Sequence, residues 1–115
     1  MKYDIEELAL IYDRLIENIK QFSMDPENQI SKLDGFVVTD EIASDFSDIA
    51  MPYGKILLEN EWLTEKQYKR MEDIDKKLEE MTRNKSLWTD EALKSSKEWA
   101  ESRNLGNDLL KELGV

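Results

Sequence analysis

The segment LTEKQYKRMEDIDKKLEEM, residues 63–81, decides the fold. Thr64 stands three residues before Gln67, the spacing of a capping box in which each side chain satisfies the other's backbone amide. Leu63 and Tyr68 take the two positions of a hydrophobic staple around that start. Tyr68, Met71, Ile74, Leu78 and Met81 then recur at intervals of three and four, which places them on one face of a helix. The charges are expected to pair in the favourable acid-first order, Glu65 with Lys69, Glu72 with Lys76, Asp73 with Lys77 and Glu79 with Arg83.

The same period extends toward the N-terminus. Ile5, Leu8, Tyr12, Leu15, Ile16, Ile19 and Phe22 make a stripe over residues 4–22, opened by a capping box of Asp4 and Glu7. The pattern lapses over residues 23–38, where Asp25-Pro26 and Asp34-Gly35 signal turns. Phe36, Val37 and Val38 are strand-like but too few to found a sheet. Thr39 or Asp40 is expected to cap a second helix with the stripe Ile42, Phe46, Ile49, Ala50 and Tyr53. Pro52 lacks an amide hydrogen and crowds the preceding turn, so residues 40–61 read as one kinked helix or as two. Beyond a connection at 84–87, Thr89 caps a last helix over about 90–113, with an interruption expected at Asn104-Leu105-Gly106. Trp88 and Trp99 read as staple and core residues. The expectation is an all-α chain, a single compact bundle of four to five helices over residues 1–115.

Composition narrows function by exclusion. The chain has no His and no Cys, so it has no imidazole base, no thiol nucleophile and no zinc or iron–sulfur ligand set. Neither a Walker-type nor a dinucleotide-binding glycine loop occurs. The cluster of Asp25, Glu27, Asn28 and Asp34 does not match calcium-loop spacing. The sequence therefore points away from an enzyme and calls for no cofactor and no metal. The start MKYDIEELAL carries acids where a signal peptide has bases, and no long apolar run occurs, so a cytoplasmic protein is expected.

The charge is informative once resolved along the chain. The net charge is −10, and residues 23–61 hold nine acids against only Lys32 and Lys55. Residues 62–83, by contrast, hold six acids and six bases. At about 100° per residue, Glu41, Asp45 and Asp48 fall within roughly 60° of one another. They form an acidic ridge beside the apolar stripe, with Asp40 nearby and Tyr53 at its end. Like charges at this spacing weaken a helix. A solvated face that serves solubility is one reading of the ridge. The other is a binding surface for a basic protein, in which charge steers encounter and rejects wrong partners. Direct contact with nucleic-acid phosphates or an anionic membrane is disfavoured by the same charge.

The run Gly54-Lys55-Ile56-Leu57-Leu58-Glu59-Asn60-Glu61-Trp62-Leu63-Thr64-Glu65, then Ile74-Asp75, Leu78, Met81, Trp88-Thr89 and Trp99, resembles small bacterial toxin-immunity proteins of the contact-dependent inhibition and polymorphic-toxin type. The resemblance covers residues 50–113 and carries no functional residue over to this chain. It implies a protein without enzymatic activity that binds one toxin and blocks its active site, and many such toxins are nucleases with basic clefts; a monomer in a one-to-one complex with a basic toxin domain is expected. The residues expected to bind it are Asp40, Glu41, Asp45, Asp48 and Tyr53. The alternatives are an acidic helical adaptor, a secretion chaperone and an inhibitor that mimics nucleic acid.

Overall fold

The computed structural model describes residues 3–35 and 37–115. Every regular element among them is helical: α1 (Ile5–Ser23), α2 (Pro26–Lys32), α3 (Val38–Asp45), a π turn (Phe46–Ala50), α4 (Met51–Glu59), α5 (Glu65–Met81), a 3-10 turn (Lys85–Leu87), α6 (Asp90–Ser95) and α7 (Lys97–Glu112). The all-α expectation holds. One apolar cluster, from Leu8 of α1 to Leu109 of α7, joins the elements. Among the described residues, no helix is long and apolar enough to cross a membrane.

Both capping boxes form. The Glu7 amide donates to Asp4 Oδ1 at 2.8 Å, and the Gln67 amide donates to Thr64 Oγ1 at 3.1 Å. Thr89 caps α6 through the Ala92 amide at 3.0 Å. Trp99 is 1 % exposed. Its indole donates to the Leu87 carbonyl at 2.7 Å, and the Trp88 indole donates to that of Met81 at 2.9 Å. The two rings meet edge to face at 5.4 Å. Each tryptophan therefore buries apolar area without orphaning its one donor.

Four expectations about the elements and their pairing need correction. Residues 26–32 are helical, because Asp25 caps the Asn28 amide and Pro26 occupies the first turn, where its missing amide is harmless. The buried Gln29 holds α2 against α1 by donating to the carbonyls of Gln21 and Phe22. The next helix starts at Val38 rather than after Thr39 or Asp40, and it has no side-chain cap. Thr39 is buried and its hydroxyl has no partner among the described residues. Phe36 of the strand-like run lies outside the described residues.

The third correction concerns residues 90–113, which break at Ser96 and not at Asn104-Leu105-Gly106. Ser96 is extended and its hydroxyl accepts from the Trp99 amide, so α7 starts afresh there. Gly106 is inside α7, at its crossing with α1, where a Cβ would strike Ser23 and stand 3.1 Å from Phe22. The fourth concerns the α5 charges. The expected acid-first pairs do not close. Lys66 and Arg70 reach Glu112 of α7 at 3.2 and 3.4 Å, Lys77 reaches Glu101 of α7 at 3.7 Å, and Lys69 pairs with Asp73.

Pro52 neither ends nor breaks the second long helix. The π turn precedes it, with the Met51 amide donating five residues back to the Phe46 carbonyl. Residues 38–59 thus run as one helix. A π turn widens the backbone by one residue and leaves carbonyls without the usual i−4 donor, which is the accommodation a proline needs. The insertion also resets the register. Val38, Ile42, Phe46, Ala50 and Gly54 are all buried, a run of four-residue steps. In an unbroken α-helix each such step drifts by about 40° and the core line would wind off the core face. The extra residue removes about 100° of that drift.

Candidate partner-binding surface

The four-residue step organises the surface of this helix as well as its core. Asp40, Ser44, Asp48 and Pro52 are all exposed and form the outermost row. Glu41, Asp45, Ile49 and Tyr53 form the next row, half-buried except for Ile49, which is 40 % exposed. The expected site residues therefore divide between two adjacent rows. Asp40 and Asp48 lie on the crest, and Glu41, Asp45 and Tyr53 lie on the flank.

The helical stripe assigns Ile49 to the core, but the structure puts it on the surface between Asp45 and Tyr53. The π turn is the cause: Ala50 takes the core position and Ile49 rotates outward. Tyr53 likewise moves to the flank, and Gly54 faces α5 in its place.

Burial, and after it the charges of Glu41 and Asp48, raise the Asp45 pKa above its ordinary 3.8. Among the described residues, every ion pair within 4 Å lies on α5 or between α5 and α7, and none involves Asp40, Glu41, Asp45 or Asp48. Arg14, Lys20 and Lys32 border the depression that holds Asp45 and Ile49, without reaching ion-pair distance. Asn18 of α1 instead donates to the Asp45 backbone carbonyl at 3.3 Å.

On the other side of the crest, Ser47 Oγ donates to Asp75 Oδ1 of α5 at 2.9 Å. Asp48, Asp75 and Glu79 line one open depression there. Sequence reasoning misses Glu79 because it assigns that acid to Arg83 within its own helix, and Asp75 because nothing local to it announces Ser47 as its partner. Among the described residues, no group of three or more carboxylates is arranged to hold a metal ion.

No known protein family, curated protein or solved structure matches this chain. The surface itself offers unpaired carboxylates, two flanking hydroxyls and one exposed aliphatic side chain, a set suited to recognising a positively charged protein surface.

Proposed function

We propose that the chain is an immunity protein, a non-enzymatic inhibitor that binds a cognate bacterial toxin through its acidic surface. The toxin domain is basic, a nuclease whose phosphate-binding cations are the natural counterpart of Glu41, Asp45, Asp48 and Asp40. The inhibitor acts in the cytoplasm, as a monomer in a one-to-one complex. Occupying the cations of the toxin cleft excludes nucleic acid by direct competition.

The observation that carries this reading is the clustering of Asp40, Glu41, Asp45 and Asp48 on two adjacent rows of one helix, with none of the four within 4 Å of a cation among the described residues. Burial, and after it the charges of Glu41 and Asp48, disfavours the charged form of Asp45. A cation delivered by a partner relieves that repulsion. Ile49 and Tyr53, on the same row as Glu41 and Asp45, supply apolar contact at one end of the acidic ridge.

The test is co-expression with the toxin domain encoded beside this chain. Cells should survive with the native chain and die with the triple variant Glu41→Lys, Asp45→Lys, Asp48→Lys, which should retain its melting temperature. The association rate should fall steeply with salt. Protection by the triple variant would remove the ridge from the interface.

A further inference from the structure

We propose that the groove between the outer row of α3 and the second half of α5 is the docking channel for a basic segment of the partner, with Lys or Arg side chains seated between Asp48, Asp75 and Glu79 and an apolar side chain against Trp88. The proposal rests on the reading of the chain as a binder of a basic protein, and it places the contact on the α5 side of the crest.

The groove arises from the way the helices diverge. α4 packs on α5, and the two meet closely at Gly54 and Met71. α3 packs instead on α1 and α6. The gap that opens between α3 and α5 has a volume of about 390 Å³ and an apolar floor of Ala43 and Leu78. Thr82 lines both this gap and the adjoining depression of Asp40, Lys85 and Trp88. The two adjoin at that residue, so the channel has Asp48, Asp75 and Glu79 at one end and Trp88, beside Asp40 and Lys85, at the other.

Charge complementarity identifies the occupant. Four carboxylates line the channel, those of Asp40, Asp48, Asp75 and Glu79, against the single cation of Lys85. α5 is polarised across its axis: Lys66, Arg70 and Lys77 engage α7, while Asp75 and Glu79 face the channel. The Ser47 hydrogen bond fixes one oxygen of Asp75 and leaves the other free to accept. An anionic or purely apolar segment would desolvate these carboxylates without compensation.

The probe is a 12-residue synthetic peptide of alternating Arg and Leu, titrated into the full chain labelled with ¹⁵N. Shifts should concentrate at the amides of Ser44, Ser47 and Glu79 and at the Trp88 indole. Neutralising the channel with Asp75→Asn and Glu79→Gln together should weaken Kd by about tenfold, the size expected for two partly exposed charge contacts. Asp75→Asn keeps an acceptor for Ser47, and Glu79→Gln alone serves if the pair does not fold. Shifts centred on Glu41 and Asp45, or a Kd changed by less than about threefold, would overturn the channel and leave the acidic-surface reading standing. Absence of any shift at low salt would overturn both.

Discussion

A Cβ placed on Gly54 would stand 2.7 Å from both the sulfur and the terminal methyl of Met71. The glycine is what lets α4 lie this close to α5. Its neighbour in that contact is the far end of a flexible side chain, and Ala is the better helix former by about 1 kcal/mol. Gly54→Ala is therefore expected to change stability by less than about 1 kcal/mol. Gly106 is different, because the hydroxyl and Cβ of Ser23 and the ring of Phe22 stand against it, and neither side chain is long and flexible like that of Met71. Gly106→Ala should cost about 2 kcal/mol or more. Ser23 Oγ is buried without a partner among the described residues. Ser23→Ala should thus be neutral or stabilising alone and should reduce the damage of Gly106→Ala in a double-mutant cycle. Urea unfolding of the four proteins reads all of this.

Ile49 and Phe46 provide a direct test of the π register. With Ile49 on the surface, Ile49→Ala should cost less than about 1 kcal/mol. Phe46→Ala should cost about 3–5 kcal/mol, since Phe46 is fully buried and packs against Phe22 at 5.0 Å. A regular α-helix with Ile49 inside would instead make both substitutions severe. The two unfolding midpoints distinguish the cases.

Thr39 separates a cap from a core residue by the sign of one substitution. Were Thr39 the cap of its helix, Thr39→Val would cost about 1 kcal/mol. In the structure its hydroxyl is buried with no partner among the described residues. Thr39→Val should therefore stabilise by about 1 kcal/mol, measured as a rise in the denaturation midpoint.

Asp45 carries a pH signature. Its pKa in the folded chain lies above the ordinary 3.8, first through burial and then through Glu41 and Asp48. The folded chain thus holds this proton to higher pH than the unfolded chain does. The stability contributed by the group is fully present below pH 3.8 and is lost as pH rises through the folded value. Asp45→Asn is expected to raise Tm at pH 7, and the gain should shrink as pH falls toward 4. If the flank contacts the partner, the same substitution should weaken binding. A Tm gain that does not vary with pH would exclude this origin.

Much of the fold is legible in the sequence because its signals are local. The boxes at Asp4 and Thr64 and the cap at Thr89 lie within three residues of their partners, and the stripes of α5 and of α1 from Leu8 onward repeat without interruption, although Ile5 at the head of the α1 stripe is exposed. The short α2 escapes the periodicity argument because its seven residues hold one large aliphatic side chain, Ile30. An Asp-Pro pair suits a turn and a helix start equally well, and Asp25-Pro26 carries no local mark of which it opens. The break at Ser96 is hidden for a similar reason, since a serine is as ordinary within a helix as at its cap. Gly106, the conspicuous weak point of α7, is required by Ser23 and Phe22 of α1, near the opposite end of the chain, rather than by a break. For the candidate surface, the acids are visible in the sequence but their arrangement is not. The π turn is a tertiary solution that brings Phe46, Ala50 and Gly54 inward together, and no single residue within 46–50 announces it.

The common step of the rows on residues 38–54 gears the surface to the core. Adding or deleting one residue in this helix would turn every side chain beyond it, moving Gly54 off Met71 as surely as Asp48 off the channel. If this surface binds a partner as proposed, diversification of partner choice is thereby confined to exchange of side chains at exposed positions such as Asp40, Ser44, Asp48 and Ile49, over a helix of fixed length. Two such chains could recognise different partners and still have interchangeable interiors.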